Sequence, residues 1–278
     1  MSKGSVKINR LGGQGLVRYP VAGEIDFLYV ASVTKDPKWN LGDGIELADG
    51  RRFRYCKAGA AGVVPETGAV TTLKTITVAV APAQAVGAGA VGNHKVTLTV
   101  ASGDGAAGTG LLAEDELKGG TVVIGNGSAQ HPQMRGILGN TAVAAPGGVC
   151  TLTLDAALTI AVTVNTTTIE TLCNPYATVV LTNDASYQTF IGVPCVVATV
   201  GQYFWLQTKG KCWITSDTHT CDQAYDRDIY FVGNGSVVSG YDVPYTSSHP
   251  LMYQKAGVAV DVSGSSASNA PMVNLQLE

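Results

Sequence analysis

Apolar and polar residues in this chain alternate mainly with a period of two, the period of a strand whose side chains point to opposite faces. FLYVASV (Phe27–Val33) is β-branched and aromatic and reads as a strand. IELADGRRFRY (Ile45–Tyr55) reads as a hairpin, with Ile45 and Leu47 on one face, Phe53 and Tyr55 on another, and Asp49-Gly50 as its tight turn. TLKTITVAV (Thr72–Val80) and HKVTLTVAS (His94–Ser102) set Thr against apolar residues. TVVIGNGS (Thr121–Ser128) is a strand into a turn, and CTLTLDAALTIAVTVNTTT (Cys150–Thr168) holds two more strands. ATVVLTND (Ala177–Asp184), VPCVVATVGQYFWLQTKGKCWIT (Val193–Thr215), RDIYFVGNGSVV (Arg227–Val238) and GVAVDVSG (Gly257–Gly264) complete at least ten strand candidates. GLLAEDELKGG (Gly110–Gly120) has room for one helical turn. Nothing else carries helical periodicity, so the expected class is all-β: an antiparallel sandwich or barrel. The strands are separated by long Gly-rich loops such as Ala58–Gly68 and APAQAVGAGAVGN.

Composition agrees. Gly is 34 of 278 residues, about 12% against a usual share of about 7%. Only 14% of residues are charged, yet 45% are hydrophobic, so the chain can bury a real core. The net charge of −3 provides no general field for nucleic acid or an anionic membrane, and neither is expected as a partner. The opening MSKGSVKINR has no signal-peptide pattern. The run Thr75–Asn93 is too short and too rich in breakers to span a bilayer.

Candidate chemistry is sparse. The six cysteines lack C-x-x-C spacing, and Cys150, Cys173 and Cys195 sit among apolar residues as reduced, buried side chains would. His94, His131, His219 and His249 fall in no metal-ligand spacing. Cys212, His219 and Cys221 are the one soft-ligand cluster, but no clear fourth zinc ligand accompanies them. Asp222, Asp226 and Asp228 lack the order of a calcium loop. No nucleophile elbow, phosphate loop or dinucleotide fingerprint occurs, and Glu114, Asp115 and Glu116 are adjacent rather than paired across a cleft. No catalytic set, metal or cofactor is expected. The aromatic residues Tyr203, Phe204, Trp205 and Trp213 are concentrated. Tyr203, Trp205 and Gln207 alternate with Phe204, Leu206 and Thr208, either as core and subunit contact or as a sugar-stacking platform.

Several blocks together resemble a group of tailed-phage virion structural proteins. GDGIELADGRRFRYCKAGA (Gly42–Ala60) is similar to that group's G-x-x-x-x-L-x-D-G-R-x-F-R-Y-x-x-A-G. LKGGTVVIGNG (Leu117–Gly127), LDAALTIAVT (Leu154–Thr163), CNPYATVVLT (Cys173–Thr182) and IGVPCVVATVGQYFWLQTKGKCWI (Ile191–Ile214) follow in the group's order. The resemblance spans roughly residues 25–215 and carries no chemical motif. Asp49, Gly50, Phe53, Tyr55, Tyr203, Trp205 and Gly210 stand in it as turn and core positions. One departure is GNGSAQHPQMRGI, where the group often has G-x-G-Y-x-Y. The resemblance implies a non-enzymatic head protein, made in the host bacterial cytoplasm, that decorates or cements the exterior of the capsid. Its partners would be the major capsid protein and copies of itself, as a homotrimer or another symmetric homo-oligomer. A fibre or receptor- and carbohydrate-binding β domain is the alternative.

Three segments are expected: an extended N-terminal arm (1–24), a hairpin module (25–70) and a main β-sandwich or barrel domain (71–278). The arm carries Lys3, Lys7, Arg10 and Arg18 before the first acid, Glu24. With Leu11 and its other apolar residues it is expected to lie as a strap on a partner. The candidate capsid or subunit contacts are therefore Lys3, Lys7, Arg10, Leu11, Arg18, Tyr203 and Trp205.

Overall fold

The computed structural model describes residues 23, 25–71, 75–105, 109–125, 132–181, 189–217, 227–240, 253–261 and 271–278. These residues are all-β, without an α-helix among them. The strands are β1 (Gly44–Glu46), β2 (Arg52–Lys57), β3 (Ala69–Thr71), β4 (Thr75–Val80), β5 (Lys95–Thr99), β6 (Thr121–Gly125), β7 (Gln133–Asn140) and β8 (Val149–Leu154). They continue as β9 (Thr168–Leu172), β10 (Val179–Leu181), β11 (Phe190–Pro194), β12 (Tyr203–Trp213), β13 (Asp228–Phe231), β14 (Val237–Ser239), β15 (Lys255–Asp261) and β16 (Met272–Gln276). All strand pairs are antiparallel, in two curled sheets. Contacts divide the chain into one compact unit within Met1–Thr72 and Tyr176–Glu278 and a second within Leu73–Pro175. That line differs from the sequence segmentation: the described part of 25–70 belongs with strands from beyond residue 176, and 71–278 is split. Local patterning cannot reveal this, because the joining contacts are between residues some 150 positions apart on β2 and β12.

In the first unit the sheet runs β10-β3-β11-β12-β16-β15-β13-β14, with β2 also on β12 and β1 on β2. Ile45 lies opposite Phe53. Opposed residues of an antiparallel pair share a face, so Ile45, Leu47, Phe53 and Tyr55 enter one core cluster rather than two faces. The Asp49-Gly50 turn forms as expected. Gly50 adopts φ +84°, and the Leu47 and Arg51 backbones close the hairpin at 2.9 Å. Strand β12 is the hub. Tyr203–Gln207 pair with β2, and Lys209–Trp213 pair with β16. Between them the register shifts by one residue, leaving Thr208 as a fully buried bulge. Next to it Gly210 has φ +87°, and a Cβ there would sit 2.9 Å from the Arg51 Cα. This position needs glycine on both counts.

In the second unit the order is β4-β9-β6-β7-β8-β5. Val96, Leu98, Val122, Ile124, Ile137, Leu152, Leu154 and Ile169, drawn from the period-two positions, form its core. Edge strand β5 is closed by a side chain. Gln84 accepts from the Thr97 N–H at 2.8 Å and donates to the Thr97 carbonyl at 3.0 Å, as a neighbouring peptide would. Gln133 does the same for the loop after β8, accepting from Thr159 N–H and donating to Ile160 O. In the first unit Gln254 does so for Phe190.

Three local expectations are corrected. Phe27–Val33 is not a strand: Asp26–Tyr29 is a short 3₁₀ turn that buries Leu28, and only Ser32 bridges, to Tyr203. Gly110–Gly120 holds hydrogen-bonded turns rather than a helical one, and Asp115 lies at φ +59°. The second strand within Cys150–Thr168 is a loop: Gln133 meets Thr159 N–H and Ile160 O, and Leu158 and Val162 bond to the loop at Gly89–Asn93 rather than to a strand. The arm through Ala22, with Lys3, Lys7, Arg10, Leu11 and Arg18, lies outside the described residues.

Candidate functional site

Alternation along β12 sorts the aromatic cluster. Phe204 and Leu206 enter a core with Cys56, Ala69 and Val179. Tyr203 and Trp205 face the opposite core, beside Leu28, Trp39 and Tyr55. Trp205 is 2% exposed, with its ring 5.1 Å from Trp39, 5.2 Å from Tyr55 and 5.7 Å from Phe27. It is thus spent on its own fold and is not offered to a capsid or subunit partner, which corrects that expectation. Tyr203 is half-buried, stacked on Tyr55 with Lys57 Nζ 5.6 Å from the ring centroid. The same alternation carried past the bulge turns Cys212 and Ile214 inward and Lys211 and Trp213 outward. Trp213, at 40% exposure, is the one Trp of the three that solvent reaches substantially.

Trp213 lines a groove of about 540 Å³ within the first unit. Its walls come from separated segments: Tyr29 from the 3₁₀ turn, Asp49 and Arg51 from the β1–β2 turn, Pro65 and Glu66 from the following loop, and Lys211 and Met272 from β12 and β16. Gln207, Cys195 and Cys212 also line it. Arg51 is fixed before any ligand arrives. Its Nε donates to Asp49 Oδ2 at 2.7 Å and its Nη1 to Tyr29 Oη at 3.3 Å, while its backbone is packed under Gly210. Burial pulls the Arg51 guanidinium pKa down, but the bonds and charge from Asp49 and Tyr29 more than reverse this, and the group stays cationic.

Compared with protein-family models, curated proteins and solved structures, the chain has no match.

A second polar constellation closes the C-terminus onto β2. Arg54 Nε and Nη2 bind the Glu278 carboxylate at 2.7 and 2.8 Å, Tyr176 Oη donates to it at 3.0 Å, and Arg54 Nη1 donates to Gly42 O. Burial pushes the Glu278 carboxyl pKa up, and the Arg54 bonds and charge, with Tyr176, bring it below its ordinary value. This bidentate clamp is structural. The Cys56, Cys195 and Cys212 thiols are held protonated: burial raises Cys195 and Cys212 to about 12 and pushes Cys56 well above its usual value. His219, Cys221, Asp222 and Asp226 lie outside the described residues. Asp228 pairs with Lys255 at 2.8 Å.

Sequence reasoning locates the aromatic signal but treats Trp213 together with Tyr203, Phe204 and Trp205, either as core and subunit contact or as a sugar-stacking platform, without separating the outward ring from the buried ones. It misses Tyr29, Asp49, Arg51, Glu66 and Lys211 as one site, because they are supplied by separate turns, loops and strands. The Lys211/Trp213 against Cys212/Ile214 alternation is the available signal for an outward Trp.

Proposed function

We propose that this protein is a non-enzymatic structural protein of tailed-phage heads that binds the major capsid protein and stabilises the shell from outside, as a decoration or cement protein. The observation that carries this reading is where the resembling blocks meet. The block around L-A-D-G-R-R-F-R-Y is β1, the turn and β2; the block around Y-F-W-L-Q-T-K-G-K is β12. They are hydrogen-bonded neighbours, with Tyr55 opposite Trp205 and Phe53 opposite Gln207. The residues singled out by the resemblance therefore build one three-dimensional module, in which Gly210 is tailored to the Arg51 turn.

The surface suits lattice binding. Val33, Val197 and Val200 are exposed at more than half their area on loops flanking the Ser32–Tyr203 and Val63–Ala198 bridges. Small apolar contacts of this kind give little energy singly, but repetition across a symmetric shell converts them into avidity. Closed symmetry in a homo-oligomer, trimeric or otherwise, would match such a lattice. The test is genetic and physical. Phage heads assembled without this gene product should lose DNA at lower temperature than complete heads, and adding the purified full-length protein back should restore them. Equal heat resistance with and without it would reject the cement role.

A further inference from the structure

The groove beside Trp213 has a chemistry that the head-shell reading does not use. Its polar lining carries two carboxylates, Asp49 and Glu66, and two cations, Arg51 and Lys211. Their formal charges cancel, so the groove offers no net attraction to an anion or a cation. It does offer hydrogen-bond acceptors and donors side by side, next to two exposed aromatic rings, Tyr29 and Trp213. The volume lies in the range of ligand clefts, about 300–1,000 Å³. A neutral molecule with one apolar face and a rim of hydroxyls fits all three properties: each hydroxyl both donates and accepts, and the C–H face of a pyranose ring covers an indole.

We propose that this groove is a binding site for a neutral oligosaccharide, with a sugar ring stacked on Trp213 and its hydroxyls held by Asp49, Arg51, Glu66 and Lys211. Two features make the site built rather than incidental. Arg51 is held by Asp49 and Tyr29 at 2.7 and 3.3 Å, so this groove-lining guanidinium needs little further ordering to engage a ligand and keeps N–H groups beyond those two bonds. Trp213 ends β12 in direct register with Met272 of β16, so its Cβ and backbone are set by the sheet rather than by a loop. The site lies on the same β1–β2 and β12 module as the resembling blocks but uses its outward side chains, and it would give a head protein a second partner, a glycan of the cell surface.

The experiment uses the full-length protein. Trp39 and Trp205 are buried and Trp213 is exposed, so tryptophan fluorescence changes on adding sugar report mainly the groove. Cellobiose, lactose, maltose and N,N′-diacetylchitobiose are titrated as probes, and a glycan array containing neutral, sialylated and sulfated oligosaccharides is read in parallel. The expected result is saturable binding of at least one neutral sugar, with Kd of about 1 mM or tighter. In calorimetric titrations, which do not depend on the Trp213 signal, Trp213→Ala should weaken binding at least tenfold and Trp213→Phe should retain part of it, and the thermal melting of both variants should be close to that of the parent. Binding that Trp213→Ala leaves unchanged, binding restricted to anionic glycans, or no binding to any probe would each overturn the proposal. Head binding is scored separately, so a failed sugar site leaves the capsid reading standing, and the reverse.

Discussion

Gln84→Met isolates what a glutamine amide contributes when it stands in for a missing strand. Thr97 lies on the edge strand β5 and is fully buried. Its N–H and C=O both end on the Gln84 amide, at 2.8 and 3.0 Å. Methionine has nearly the same length and volume but neither donates nor accepts strongly. The substitution therefore leaves both Thr97 groups without partners, and takes a donor from the Pro82 carbonyl at 3.0 Å as well, while adding little cavity. An unsatisfied buried polar group costs about 1–3 kcal/mol, and the two share one site, so the expected loss is about 2–4 kcal/mol. For a unit of this size that is roughly 4–8 °C of melting temperature per kcal/mol. Gln84→Glu is the sharper control. Its carboxylate still accepts the Thr97 N–H but sets an anionic oxygen against the Thr97 and Pro82 carbonyls with no donor, so at neutral pH it should be at least as destabilising as Gln84→Met. Protonation would restore one donor, so the Glu variant should recover relative to the parent as the solution is acidified. Calorimetry gives the stability, and amide hydrogen exchange at Thr97 gives the local effect, with protection expected to drop about tenfold per 1.4 kcal/mol. A loss below about 0.5 kcal/mol with unchanged exchange at Thr97 would refute the reasoning, since water would then be replacing the amide at no cost.

Other consequences follow from the same contacts. Trp205→Ala removes an aromatic hub packed on three rings and should cost about 3–5 kcal/mol, read as a lower urea midpoint for the fluorescence of Trp39 and Trp213; a change under about 1 kcal/mol would deny Trp205 its core role. Thr208→Val at the β12 bulge exchanges a buried hydroxyl with no partner among the described residues for a methyl group, so it should be neutral or stabilising by up to about 1 kcal/mol in the same urea titration. Glu278 has a folded pKa below its unfolded one, so its contribution is present at neutral pH and is lost as pH falls through the folded value. Stability measured from pH 7 down into the acid range should therefore decline less steeply in Arg54→Ala than in the parent, and parallel curves would reject the clamp.

Much of the fold can be read from residue order alone. The all-β class follows from period-two alternation. Asp49-Gly50 specifies its turn because glycine tolerates positive φ. The alternation within Tyr203–Thr208 correctly assigns Tyr203 and Trp205 to one side and Phe204 and Leu206 to the other. What sequence obscures is pairing at a distance. Nothing local in Phe53 or Tyr55 announces Gln207 and Trp205 as neighbours, so residue order separates the hairpin module from the strand that completes its core. Strand-like composition also misleads where a side chain replaces a strand: Leu158–Val164 is apolar and β-branched, yet Gln133 supplies part of its hydrogen bonding and it stays a loop. The 3₁₀ turn at Asp26–Tyr29 is a similar case, with burial of Leu28 outweighing the β-propensity of its neighbours. The groove is hidden because its polar residues are contributed by segments far apart in sequence.

Whether this chain is built to sit on a phage head is tested most directly by sedimentation. DNA-filled heads purified without the protein are mixed with an excess of the full-length chain, run through a density gradient, and the head band is quantified by protein mass. The predicted result is saturable co-migration at a fixed copy number per shell that matches a multiple of its symmetry sites. Protein that remains entirely at the top of the gradient, or that follows heads without saturating, would contradict a head-binding role.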